Sequence, residues 1–257
     1  MTEKSLGSGL HITPSNSILY SVDEGDCIGN LYIRAQGPRR INELADTIYH
    51  KDAVVPYHEH RAGYETFLID GGSVEVFING KTAVLEQGDL VQIRPYIGHG
   101  FHLLEEGTIW REMFQEMDMY KAVEEKDVLR TYSPASFGDQ EVRQRRLDRA
   151  QVEYRDTPVC VRVDKHEIPE VRPKGWALQT FSFPGITLHL KVGRWETDGV
   201  KEIWELELQK GTKIDWQIPY GDTDLFLVQS GAVRVQADGD HDFVAREHEI
   251  VNIPPFY

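Results

Sequence analysis

The sequence predicts an all-β protein built as two small barrels. Three observations carry this: short apolar stretches cut by turn residues, a tight hairpin signal, and an internal repeat. Glu65–Asp70 (ETFLID), Ser73–Ile78 (SVEVFI) and Leu90–Ile93 (LVQI) are strand-length and bounded by turn residues. Asn79-Gly80 between two such runs is the pair that a two-residue hairpin favours. Many short strands at this spacing indicate a sandwich or barrel rather than a helix-crossed parallel sheet.

The repeat sets the domain organisation. Tyr57–Gly80 falls on Trp216–Gly239 at an offset of 159 positions. Gly72 then meets Gly231, Val74 meets Val233, Val76 meets Val235, and Asn79-Gly80 meets Asp238-Gly239. With one inserted residue, Gly88–Tyr96 (GDLVQIRPY) falls on His248–Phe256 (HEIVNIPPF). Chance hydrophobic alternation does not also reproduce the turn glycines and the proline, so the chain is read as a duplication. The expected division is a first barrel over 1–117, a charged and partly helical linker over 118–174, and a degenerate second barrel over 175–257. Further strands in Leu10–Ala45 and Trp176–Leu208 would complete the barrels. In the linker, Asp139–Tyr154 (DQEVRQRRLDRAQVEY) reads as a short exposed helix with Asp139 as its N-cap. Its four arginines sit among acidic groups and read as a solvated face rather than a binding patch.

The chain has 257 residues, 40% of them hydrophobic, enough to bury a sizeable core. Its formal charge of −14 opposes nucleic acid and anionic membranes as partners. Cys27 and Cys160 lie in no Cys-x-x-Cys or Cys/His spacing, so a disulfide framework or thiolate site is not expected. No apolar run has the length of a signal-peptide core or a membrane span. The reading is a soluble, cytoplasmic protein with reduced thiols and a small-molecule substrate.

The chemistry concentrates in one stretch. His58 and His60 are one residue apart, which on a strand puts both imidazoles on one face. After the turn Arg61-Ala62-Gly63, Glu65 shares a strand face with Phe67 and Ile69. A carboxylate entering an apolar face is costly unless paired or metal-bound. Two imidazoles and a carboxylate suit a divalent first-row metal. Further on, Pro95 and Gly98 bend the chain, after which His99 points inward beside Phe101. His102 has the opposite parity and ranks second. His11, His50, His166, His189 and His241 match no such pattern and are read as structural or exposed. The five tryptophans are read as core and rim packing.

HEHRAGYETFLIDGG resembles the first motif of the cupin superfamily: His-x-His, four residues, Glu, six residues, Gly. GDLVQIRPYIGHGF is similar to the second motif, which runs from a glycine through a proline to a third histidine. It departs from the stricter Pro-x-Gly-x-x-His form, because Gly98 stands three after Pro95 and His99 four after. The resemblance covers 45–115, and 200–257 through the repeat. It points to two-domain cupins of the quercetin dioxygenase-like type.

The resemblance implies a double-stranded β-helix, or jelly-roll, barrel holding one divalent transition metal (Fe, Mn, Ni or Zn) on His58, His60, Glu65 and His99. It also implies that Glu65 can detach and act as a base, and that a homodimer is a reasonable assembly. The second barrel lacks the ligands: Gln217, Pro219 and Asp224 replace His58, His60 and Glu65. The counterpart of His99 would lie two residues after Tyr257, whether the natural protein ends there or continues.

Fold does not fix reaction. The leading expectation is a dioxygenase acting on a small oxygenated or aromatic compound. Four protein ligands leave room on a six-coordinate metal for a substrate with adjacent oxygens and for dioxygen. Phe101, Tyr57, Tyr64 and Tyr96, all near the motifs, are candidates for the substrate pocket. The alternatives are a non-catalytic metabolite- or sugar-binding or sensing protein and a metal-dependent sugar isomerase.

Overall fold

Strands form where apolar alternation and turn residues place them. In the computed structural model, which describes residues 11–13, 18–34, 41–117, 119–215, 224–237 and 241–253, Ser73–Ile78 and Leu90–Ile93 are strands as predicted, and Glu65–Asp70 lies in the strand Tyr64–Gly71. Asn79 and Gly80 both adopt positive φ, 47° and 76°, and close the hairpin between Ser73–Ile78 and Lys81–Glu86. Two successive positive φ values match the right-handed twist of the paired strands.

The described chain divides into two compact units, Tyr20–Lys210 and Met1–Leu19 with Gly211–Tyr257. In the first, a six-stranded sheet runs in the order Val152–Tyr154, Val54–His60, His99–Leu103, Ser73–Ile78, Lys81–Glu86, Val161–Arg162. A seven-stranded sheet runs Val171–Arg172, Leu90–Ile93, Tyr64–Gly71, Thr108–Gln115, Ile41–Tyr49, Cys27–Arg34, Tyr20–Asp23. The chain passes repeatedly from one sheet to the other between Val54 and Gln115, as in a jelly roll. The core includes Phe67, Ile69, Val74, Val76, Phe101 and Trp110. Each such buried side chain stabilises by about 1.5–3 kcal/mol. Trp110 meets Phe67 and Phe101 edge-on, both at 4.3 Å between centroids.

Every residue of Tyr64–Asp70 is buried, so this strand is covered on both faces. Glu65, Phe67 and Ile69 alternate with Thr66, Leu68 and Asp70, which take the opposite face. There Thr66 Oγ1 donates to Gln92 Oε1 and accepts from Lys201 Nζ, while Arg111 bridges Asp46 and Asp70, each at 3.1 Å. A further sheet in this unit joins Gln179–Phe183, Ile186–Val192 and Ile203–Leu208. These strands lie in the unit Tyr20–Lys210, whereas the sequence division assigns them to 175–257. The second unit carries a three-stranded sheet of His11–Thr13, Ile250–Ile253 and Asp224–Leu227, and the hairpin Ala232–Ala237 with His241–Arg246. Gln217, Pro219 and Asp238-Gly239 lie outside the described residues.

The linker helix is shorter than expected. It spans Gln140–Arg149, and Asp139 caps it by accepting from the Glu141 and Val142 amides at 2.8 and 3.1 Å. Gln151 then turns to φ 57°, and Val152–Tyr154 becomes a strand against Val54–His60. β-branched Val152 and aromatic Tyr154 favour that pairing over a further helical turn. A second helix, Met119–Tyr132, precedes it.

Candidate metal centre

Pro56 begins the construction of the site. In the pairing of Val54–His60 with His99–Leu103, His99 stands opposite His58 but Phe101 opposite Val55, so an extra residue bulges in the first strand. Proline has no amide proton for the ladder and is tolerated at such bulges. Its carbonyl instead accepts from His58 Nδ1 at 2.7 Å. His99 Nδ1 likewise donates to the Ile97 carbonyl at 2.8 Å. A carbonyl can only accept, so in each neutral ring the proton sits on Nδ1 and Nε2 carries the lone pair.

The bend after Pro95 needs glycine. A Cβ on Gly98 would lie 2.6 Å from Tyr57 Oη, and one on Gly100 would lie 3.1 Å from the Tyr57 backbone. Removing those carbons lets His99–Leu103 close onto Val54–His60.

His58, His60, Glu65 and His99 are all buried, and their ligand atoms lie within 4.8 Å of one another. Among the described residues, no other such cluster occurs. His60 Nε2 and His99 Nε2 face the same Glu65 Oε2 at 3.0 and 2.9 Å. For His99 the contact is made either by a second ring proton donated to Glu65 or by a cation that the Nε2 lone pair and the carboxylate share. His60 Nδ1 has no hydrogen-bond partner. Burial raises the Glu65 carboxyl, but His60 and His99 outweigh it and hold the group well below the usual carboxylate range. Burial, and then the neighbouring His99 and His60, press the His58 imidazole down to about 3, so it is neutral at ordinary pH. Neutral imidazoles and an ionised carboxylate are the protonation states a divalent metal requires. The donor set therefore fits a metal such as Fe, Mn, Ni or Zn.

His102 turns the other way. Its side chain is 34% exposed, against 0% for His99, and lies 3.7 Å from Asp52 and 4.0 Å from Glu75. His102→Ala is expected to leave metal content within about twofold of wild type, checked by elemental analysis, because partly exposed ion pairs contribute little.

His58 and Glu65 open onto a cavity of about 210 Å³. Phe101 lines it; Tyr57, Tyr64 and Tyr96 do not. Tyr57 packs over Gly98 and Gly100, Tyr64 Oη donates to Asp198 at 2.6 Å, and Tyr96 is exposed with φ 64°. Nearness in sequence to the motifs did not bring these tyrosines to the cavity: Tyr57 and Tyr64 are strand neighbours of His58 and Glu65 and so point to the opposite face, and Tyr96 sits in the turn before His99.

The wall comes instead from segments without a motif. Thr108–Gln115 supplies Trp110, Glu112 and Phe114, and the helix Met119–Tyr132 supplies Met119, Tyr120 and Val123. Gly29 makes room for Tyr120, whose Oη would lie 2.8 Å from a Cβ there. Thr47 Oγ1 stands 3.4 Å from that hydroxyl. Burial, with the Glu65 charge adding to it, pushes the Glu112 carboxyl well above the carboxylate range. The only sequence signal for Glu112 was its parity with Trp110 and Phe114. Cys27 also lines the cavity, and burial pushes its thiol up to about 12, which rules out a thiolate at neutral pH. Both cysteines are free.

Of the four linker arginines, Arg149 pairs with Glu125, Arg145 with Glu141 at 3.6 Å, and Arg143 lies over the Tyr154 ring. No helix among the described residues is long and apolar enough to cross a membrane.

Residues 46–109 match the family model described as the Cupin domain, and the His/Glu cluster falls within them. The solved structures that resemble the chain extend the likeness over nearly its whole length. An oxalate decarboxylase from Lactobacillus farciminis, solved as a formate complex, is 13% identical, with 98% of this chain and 81% of that one covered at a TM-score of 0.59. A Bacillus subtilis oxalate decarboxylase variant is 14% identical, covering 97% and 72%, with a TM-score of 0.54. The 11S globulin of Wrightia tinctoria, described with an auxin-binding site, is 8% identical, covering 96% and 78%, also at 0.54. At these identities the likeness is one of fold. No curated protein sequence matches this one.

Proposed function

We propose that this protein is a metal-dependent cupin enzyme, a dioxygenase for a small oxygenated aromatic compound, with His58, His60, Glu65 and His99 as the ligands. The observation that carries this reading is that His58 and Glu65 of the cluster line an aromatic, largely apolar cavity. Phe67, Phe101, Trp110 and Phe114 line it, and among the described residues no lysine or arginine does. A planar ring fits such walls. A six-coordinate divalent metal would offer two positions beside the four ligands to adjacent substrate oxygens, and a third for dioxygen where Glu65 detaches. The protein's own part is to hold the ring, to exclude water, and to accept a proton at Glu65.

Decarboxylation of a small dianion, the activity named for two of the fold neighbours, suits this cavity less well. Its lining is mainly aromatic and aliphatic, and among the described residues no lysine or arginine lines it to hold a second carboxylate.

The test is turnover of a substrate panel by Fe(II)- or Mn(II)-loaded protein, with and without oxygen. Catechols and related ring compounds should be consumed only aerobically, with oxygen uptake matching substrate loss. Oxygen-independent turnover of sugars would replace this reading with isomerisation. Tight binding without turnover would leave a binding protein.

A further inference from the structure

The cavity opens where its lining becomes exposed, at Pro56 and Tyr154, and two helices bring cations to that rim. Val123 lines the cavity from the helix Met119–Tyr132, and Lys126 and Arg130 follow it at helical spacing on the same face. Arg143, on the helix Gln140–Arg149, lies over the Tyr154 ring at 5.9 Å, and Arg146 stands one turn further along. The four cations act on one another: burial lowers the Lys126 ammonium, and Arg130, Arg146 and Arg143 lower it further. Like charges this close repel unless anions stand among them. Glu24 pairs with Lys126 and, at 3.5 Å, with Arg130, while Glu125 is taken by Arg149. Among the described residues, Arg143 and Arg146 have no carboxylate within ion-pair distance. Arg146 is only half-buried, and one of its nitrogens, Nη1, has no hydrogen-bond partner. Contact with the Tyr154 face uses none of the Arg143 N–H donors. In a chain of formal charge −14, these two positive charges are left uncompensated at the mouth of the cavity.

We propose that Arg143 and Arg146, supported by Lys126 and Arg130, hold a carboxylate that the aromatic ligand carries on a short side chain reaching the rim. This rests on the metal-dependent reading above and narrows its substrate class from oxygenated aromatics to those with an anionic tail. The spacing suits such a ligand. The Tyr154 ring is 6.2 Å from that of His58, and Arg143 is 5.9 Å from the Tyr154 ring, so a ring chelated beside His58 needs only a short chain to bring a carboxylate to Arg143. The tail belongs at the rim because, among the described residues, no lysine or arginine lines the interior to compensate it. Both arginines determine specificity and take no part in bond making.

Calorimetry on Zn(II)-loaded full-length protein tests this with 3-(3,4-dihydroxyphenyl)propanoate and its primary amide, which share the chelating oxygens and the chain and differ in charge. Wild type should prefer the acid about tenfold at low salt, the worth of a charge-assisted hydrogen bond. That preference should shrink as added salt screens the rim. Arg143→Gln combined with Arg146→Gln should reduce it to about twofold or less. Arg145→Gln removes the same charge from the same helix, where Glu141 already partners it at 3.6 Å, and should keep the preference. Glutamine is close to arginine in helix propensity, and amide binding by the double variant reports an intact fold. Equal affinity of wild type for both probes needs no variant to overturn the assignment. A double variant that keeps the preference, or an Arg145→Gln that loses it equally, overturns it too, and in each case the metal reading stands. Zinc retained with neither probe bound overturns the substrate class as well. Zinc not retained at all by wild type overturns the metal reading, and this inference with it.

Discussion

Glu65→Gln is expected to strip the protein of its metal while leaving the barrel folded. Glutamine matches glutamate in shape, so the packing beside Phe67 and Ile69 survives. It removes the charge that His60 Nε2 and His99 Nε2 both face at 2.9–3.0 Å. Loss of a partner that merely orients a ligand costs 10–100-fold in metal affinity, so loss of a ligand itself should cost roughly 100-fold or more. Thermal unfolding with and without metal provides the measurement. At metal concentrations a hundred times Kd, binding to the folded state alone stabilises wild type by about 2.7 kcal/mol, or about 5–11 °C for a chain of this size. The variant's increment should fall to about 0.4 kcal/mol or less at the same metal concentration, and turnover should fall with it. A variant that retained one metal per chain and the full increment would remove Glu65 from the ligand set.

The second large effect is in the acid stability of the metal-free protein, where three buried groups act with different signs. His58 is held at about 3 in the fold against about 6.5 in an unfolded chain. The unfolded state therefore binds more protons between those values, and stability falls as pH drops through that window. Glu65 is depressed below 4.5, so its contribution is present above that value and is lost as pH falls. Glu112 is raised above 4.5, so its contribution is present below 4.5 and lost as pH rises through its folded value. Between about 6.5 and 4.5, Glu112 and His58 oppose one another and stability should change little. Below 4.5 the Glu112 contribution is constant, while His58 and Glu65 both lower stability, each by up to ~1.4 kcal/mol per pH unit. Urea unfolding of chelator-treated protein across this range measures the profile. Glu112→Gln removes the opposing contribution, so a downward slope should appear already between 6.5 and 4.5. A variant profile as flat there as the wild-type one would show that Glu112 ionises normally in the fold. In metal-loaded protein, release on the acid side of neutrality should precede loss of far-ultraviolet circular dichroism. Collapse of secondary structure together with release would mark the metal as structural.

Much of the fold was legible in the sequence because strands and hairpins are local devices. The alternation in SVEVFI, the Asn79-Gly80 turn and the Asp139 cap each act within a few residues, and the structure keeps all three. The convergence of His58, His60, Glu65 and His99 was also readable. Strand parity puts the first two histidines on one face, and the Pro95–Gly98 bend returns the third. The sequence did not determine the rest of the cavity. Val152–Tyr154 leaves the helical pattern because a sheet edge pairs with it, and edge pairing is a long-range contact with no local signature. Trp110, Glu112 and Tyr120 reach the site from segments whose own patterns indicate only strand or helix. Tyr57 and Tyr64 stand next to the ligand residues and miss the cavity, because one step along a strand reverses the direction of a side chain, and Tyr96 is turned out to solvent. The His/Glu cluster is thus written in short-range spacing. The cavity that would select a substrate is decided by which sheet faces and which helix the tertiary fold brings together.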